Sequence, residues 1–152
     1  MNAISIILKR TDSGNADFQS LVALLDNELR VRDGEEHAFY AQFNKANIKN
    51  AVVCYAEDKP IGCGAFREYD KEKVEIKRMY VLPEYRSLGI GLKILKELES
   101  WISELNYPKC ILETGQRQPE AIRLYQKAGY SPTENFGQYQ GDYNSVCMIK
   151  IL

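Results

Sequence analysis

The sequence predicts an α/β (α+β-like) fold, a mixed central sheet with flanking helices, on three observations. Apolar strand-like runs alternate with helical periodicity along the chain, in the order β-α-α-β-β-β-α-β-α-β. A strand near Lys73–Leu82 passes through a glycine-bearing turn into the most regular amphipathic segment. There Ile94, Leu95, Leu98, Trp101, Ile102 and Leu105 share one helical face, and Lys93, Lys96, Glu97 and Glu104 lie outside it. A second helix, Pro119–Ala128, has proline in its first turn and Gly129 just past its end, the usual asymmetry of helix starts and stops.

The remaining elements follow the same logic. Ile4–Lys9 reads as a first strand, and Ser13-Gly14-Asn15 breaks the pattern before a helix near Asp17–Arg30 with Phe18, Leu21, Val22, Leu25 and Leu29 on one side. A short helix near Glu35–Phe43 is aromatic on one face through Phe39, Tyr40 and Phe43. Ala51–Ala56 and Ile61–Tyr69 form a hairpin through Glu57-Asp58-Lys59-Pro60. In the strand Lys73–Leu82, Val74 and Ile76 share one parity while Met79 and Val81 share the other. Either an extra residue makes a β-bulge near Lys77-Arg78, or the strand is buried on both faces. Asn106-Tyr107-Pro108 stops the long helix, Lys109–Thr114 is a buried strand and Ser145–Ile151 a last one. With 152 residues and no repeat or linker, one domain over 1–152 is expected.

Composition excludes several classes. The net charge of −1 leaves no broad basic surface for nucleic acid or anionic membrane. No apolar run approaches the roughly 18 residues of a membrane helix. Lys9 and Arg10 follow the first apolar stretch, the reverse of a secretory signal, so a cytoplasmic protein is expected. Cys54, Cys63, Cys110 and Cys147 are scattered and His37 is the single histidine, so no metal is expected. The cysteines read as small buried hydrophobes, with an acyl-carrying thiol as the alternative. His37 reads as a surface or pocket-rim residue.

The informative stretch is Val81-Leu82-Pro83-Glu84-Tyr85-Arg86-Ser87-Leu88-Gly89-Ile90-Gly91-Leu92. A helix that begins inside a glycine pair offers unpaired N–H groups and the positive end of its dipole, which suit phosphate. Gly89 and Gly91 let an anion approach the backbone, and Arg86 adds a counter-charge; the bland alternative is a purely structural glycine pair. Ile94 stands where a dinucleotide fingerprint needs its third glycine, and no P-loop G-K-[ST] occurs.

Here the chain resembles the GCN5-related N-acetyltransferases. Arg86-Ser87-Leu88-Gly89-Ile90-Gly91 matches that family's [QR]-x-x-G-x-[GA] turn, and Met79-Tyr80-Val81-Leu82-Pro83 its preceding strand end. Ala121-Ile122-Arg123-Leu124-Tyr125-Gln126-Lys127-Ala128-Gly129-Tyr130 resembles its A-I-x-L-Y-x-x-x-G-[FY] helix. Gln118 stands where the family often has asparagine, an amide of different reach.

The resemblance implies a GNAT-type domain with a splayed parallel strand pair and acetyl-CoA as co-substrate. Pantetheine then lies against the backbone of Met79, Tyr80 and Val81, and pyrophosphate on the turn from Arg86 to Leu92. It also implies an acetyl-CoA-dependent N-acetyltransferase working by direct transfer in a ternary complex. The acceptor is the primary amine of a small molecule or peptide, and a homodimer is compatible with it. The other classes are a non-catalytic acyl-CoA sensor and a plain interaction domain.

By the same resemblance, Tyr125 is the tyrosine that donates to the leaving CoA thiolate; its other reading is core packing. Two carboxylates compete as general base. Glu75 faces opposite to Val74 and Ile76 on a strand where the family often has a glutamate. Glu113 lies five residues before Gln118, a spacing seen in some protein N-terminal acetyltransferases of the family. Either could be a solvated strand residue. Glu75 is the favoured base, because its strand neighbours suggest a drier setting that permits a raised pKa.

Overall fold

The computed structural model describes residues 4–33 and 47–152. In chain order come β1 (Ile6–Thr11), α1 (Ala16–Asp33), β2 (Asn50–Ala56), β3 (Lys59–Glu68), β4 (Lys73–Val81) and α2 (Ile90–Glu104). Then follow β5 (Lys109–Gly115), α3 (Pro119–Lys127), β6 (Ser131–Thr133) and β7 (Ser145–Ile151), with short 3-10 turns at Pro83–Tyr85 and Gly137–Tyr139. The strands form one mixed sheet in the order β1-β2-β3-β4-β5-β7-β6, in which β4 and β5 run parallel and the other neighbours antiparallel.

Local chemistry sets these elements. Asn15 caps α1 by accepting the Phe18 N–H at 2.9 Å. The β2–β3 hairpin closes over Glu57 and Asp58, both at positive φ (48° and 68°), so the turn is two residues long where four were expected. Asn106 at φ 69° ends α2, and Gly129 at φ 100° ends α3. Because strand residues alternate faces, the sheet has two cores. Phe18 and Leu21 of α1 pack over Ala51, Val53, Cys63 and Ala65. Ile94, Leu95, Leu98 and Ile102 of α2 pack over Val52, Phe66, Val74 and Leu112 on the other face.

Both readings of β4 hold. Cys63 pairs with Tyr80 and Ala65 with Lys77, so two steps on β3 oppose three on β4, and Arg78 takes φ 62° in the bulge. Val74, Glu75, Ile76 and Lys77 are nonetheless all buried. Gly64 sits opposite the bulge, where an added Cβ would lie 2.6 Å from the Met79 sulfur.

The parallel β4–β5 ladder runs only from Lys73↔Lys109 to Ile76↔Leu112. β4 continues to Val81 and β5 to Gly115 without pairing to each other, which is the expected splay. β6 was not anticipated: its three residues are exposed and carry no apolar alternation, so only its pairing to β7 makes it a strand. The helix expected near Glu35–Phe43, with His37, Phe39, Tyr40 and Phe43, lies outside the described residues.

Candidate functional site

The splay ends in the turn that the sequence singled out. Ser87 (φ 66°) and Gly89 (φ 80°) both take left-handed backbone, and Ser87, Leu88 and Gly89 are exposed. α2 begins at Ile90 with Gly89 as its N-cap, without a capping side chain or an acidic residue in the first turn among the described residues. Its leading N–H groups and dipole are therefore open to an anion.

The glycines divide their roles. A Cβ at Gly89 would meet nothing within 4 Å, so what requires glycine there is the positive φ. At Gly91 the added Cβ would lie 3.1 Å from Leu124 of α3, so this glycine provides close helix–helix approach rather than room for a phosphate. Ile90 is buried in the core and Leu92 is half-buried.

Arg86 is already engaged. Its Nε donates to the Val81 carbonyl at 2.8 Å, one Nη donates to both Glu28 oxygens at 3.0 and 3.1 Å, and the guanidinium lies 5.5 Å over the Tyr80 ring. It ties the end of β4 to α1. The sequence expectation of a counter-charge aimed at phosphate did not foresee this partner.

At the splay itself a cleft opens between β4 and β5, walled by Leu25 and Leu29 of α1, Tyr125 of α3 and Tyr139. Glu75, Met79, Glu113 and Gln118 all line it. Val81 packs at the edge of the α2-side core, and the Tyr80 ring packs under α1, so these two offer backbone rather than side chain at the splay.

The two candidate carboxylates differ. Glu75 is 3% exposed and sits between two cations, Lys77 Nζ at 3.5 Å and Arg67 Nη at 3.7 Å. Glu113 accepts a 2.7 Å hydrogen bond from the Ser145 hydroxyl. Burial pushes its carboxyl up to about 7, against the opposing pull of that hydrogen bond and of the Lys77 charge. The dry setting expected of Glu75 is present, but so are two counter-charges.

Tyr125 is 6% exposed, and burial, with the Glu113 charge adding to it, raises its phenol above the ordinary value. Its hydroxyl has no hydrogen-bond partner among the described residues, yet none of their side-chain oxygens or nitrogens is both fully buried and unpaired. The hydroxyl therefore opens onto the cleft. Core packing and exposure of the polar tip coexist in one side chain.

Sequence reasoning missed Ser145, Tyr139, Lys77 and Arg78. Tyr139 lies beyond α3 in a stretch without periodicity, while Ser145 opens the expected last strand and only the β5–β7 register brings it to Glu113. On α1, Asp26 lies 3.6 Å from Arg78 and Arg30 bonds Asn27. All four cysteines are buried, and burial pushes their thiols up, to about 12 for Cys63 and Cys110 and about 11 for Cys147. Among the described residues no three His, Cys, Asp or Glu side chains gather as a metal site, and no helix is long and apolar enough to cross a membrane.

Comparison with known proteins adds to this geometry. The pattern of the acetyltransferase (GNAT) family matches residues 18–130, most of the chain. The IAA acetyltransferase of Azospirillum brasilense is 36% identical over 93 residues, 60% of this chain and 61% of that protein. The spermine/spermidine N(1)-acetyltransferase of Bacillus subtilis (strain 168) is 29% identical over 125 residues, 69% of this chain and 82% of that protein. In three of the strongest sequence matches this chain spans only 56% to 64% of the curated relative's length. A solved GNAT family acetyltransferase from Elizabethkingia anophelis, with acetyl-CoA bound, shares the fold at a TM-score of 0.70 and 19% identity, covering 97% of this chain and 98% of that one.

Proposed function

The chain belongs to the acetyltransferase (GNAT) family, and from that premise we propose that it moves an acetyl group from acetyl-CoA directly onto a primary amine of a small molecule or peptide. The observation that carries this is the parting of β4 and β5 beyond Ile76 and Leu112, with Glu113 and Tyr125 on its walls. The residues suit acetyl-CoA. Unpaired strand edge at 77–81 meets an amide-rich arm, the bare start of α2 meets pyrophosphate, and the Gln118 amide faces the gap. When bound, acetyl-CoA supplies the activated acyl group. The relative named for spermine and spermidine and the neighbour with acetyl-CoA bound support the reading.

The chain's own residues then divide the work. The backbone N–H of Met79 or Val81 holds the carbonyl oxygen as negative charge grows on it. Glu113, with its carboxyl near about 7, takes the amine proton. Tyr125 gives its phenolic proton to sulfur. The amine nitrogen bonds the carbonyl carbon as the carbon–sulfur bond breaks, and the proton on Glu113 returns to the phenolate, so both groups are restored. Here we assign the base to Glu113 rather than Glu75, whose charge already answers Lys77 and Arg67. The buried cysteines, with raised thiols, favour direct transfer over an acyl-cysteine.

The test is release of free thiol from acetyl-CoA across polyamines, amino acids, aminoglycosides and peptide N-termini. Amine-dependent release is expected, without an acetyl adduct on any cysteine in the intact mass. Tight acetyl-CoA binding with no release for any amine would leave an acyl-CoA sensor.

A further inference from the structure

Two cations of β4 are set into the cleft wall with little to pair them. The Arg78 side chain is only 9% exposed, yet its nearest carboxylate, Asp26, is 3.6 Å away and itself 44% exposed. Among the described residues its guanidinium, with five N–H donors in a planar fork, makes no hydrogen bond. None of the buried side-chain nitrogens described is sealed away unpaired, so these donors reach the cleft that Arg78 lines. Beside it Lys77, 5% exposed, pairs with Glu75 at 3.5 Å, a carboxylate it shares with Arg67 at 3.7 Å, and its charge also acts on Glu113. Arg78 is also the bulge residue, and a bulge re-aims a side chain at some cost in backbone strain.

Among the described residues Glu75 is shared by Arg67 and Lys77, and Arg78 has the half-exposed Asp26 as its ion-pair partner. Bound acetyl-CoA would bring no charge to Arg78. Its phosphates belong to the turn past Leu82, about 13 Å or more along β4 from Arg78 at about 3.3 Å per residue, and its pantetheine arm is uncharged.

We infer that the acceptor amine also carries a carboxylate, as an amino acid does, and that Arg78, flanked by Lys77, holds that carboxylate while the amine meets Glu113. A planar guanidinium matches a carboxylate through two parallel hydrogen bonds. A bare polyamine would instead bring positive charge to Arg78 with no anion to answer it. This inference rests on the acetyl-transfer reading above.

The experiment compares matched pairs, small, aliphatic and aromatic amino acids against their amides, together with spermidine, by thiol release from acetyl-CoA. The acid of a pair should exceed its amide by about 10–100-fold in kcat/KM, chiefly through KM, the span of a charge-assisted contact. Arg78→Gln should collapse that ratio and Arg78→Lys should keep part of it. Amides or spermidine used as well as the acids would overturn the inference. So would Arg78→Gln lowering acid and amide alike. If no amine is turned over, the transfer reading fails, and calorimetry on the CoA-loaded protein decides the carboxylate site separately. N-acetyl amino acids binding about 10–100-fold tighter than their amides sustain it, and equal or absent binding overturns it.

Discussion

Glu75 and Glu113 stand on adjacent parallel strands and face the same cleft, yet the structure treats them as different groups. Glu75 lies within the paired part of the ladder, opposite Ile111, and is closed in with Lys77 and Arg67. Glu113 is the first residue past the last pair, Ile76↔Leu112, where β4 and β5 diverge. Its main polar partner is a neutral hydroxyl, that of Ser145, and burial moves its carboxyl to about 7. A step of one residue beyond the end of a ladder separates a carboxylate that balances buried cations from one whose carboxyl burial raises toward neutrality.

Mutation can break or sharpen that contrast. The largest effect expected is on turnover. Glu113→Gln should lower kcat by about 10²–10⁴-fold, the span of general acid–base catalysis, with acetyl-CoA affinity held, as calorimetry would show. Glu75→Gln should act instead on stability, because it leaves Lys77 buried beside a neutral amide. A loss of about 2–4 kcal/mol in urea unfolding is expected, with a change in kcat below about 10-fold.

Smaller is the pH dependence of stability. The folded pKa of Glu113 is raised, so its contribution is fully present below the unfolded value near ~4.3 and is lost as pH rises through about 7. Wild type should therefore lose on the order of 1–3 kcal/mol relative to Glu113→Gln between pH 4 and pH 8 in paired melts. The smallest effect belongs to Ser145→Ala. Its hydroxyl donates to the carboxylate and holds the Glu113 carboxyl down, so its loss should move the acid limb of activity upward by roughly half to one pH unit.

What was legible in the sequence follows the same division between local and paired chemistry. The turn at Arg86–Gly91 and the ends of α2 and α3 were readable because glycine, proline and helical spacing act over a few residues. The β4 bulge was readable as a parity flip, since one extra residue exchanges the faces of those that follow. The opposite holds for Arg86, whose Glu28 partner is 58 residues away, and for Gly91, whose need for glycine comes from Leu124 on another helix. Dryness was correctly read for Glu75; of its two cations, Lys77 stands two residues along the same strand, while Arg67 reaches it only through the β3–β4 register. Ser145 meets Glu113 only through the register of β5 with β7, which no local pattern encodes.

The most direct measurement is the pH profile of kcat/KM for wild type, Glu75→Gln and Glu113→Gln, taken with an acceptor amine whose own pKa lies well below 7. Wild type and Glu75→Gln should both lose activity as pH falls through about 7, where the Glu113 carboxyl takes up its proton, and Glu113→Gln should lack that limb. A limb that persists in Glu113→Gln and disappears in Glu75→Gln would contradict the assignment and return the base to β4.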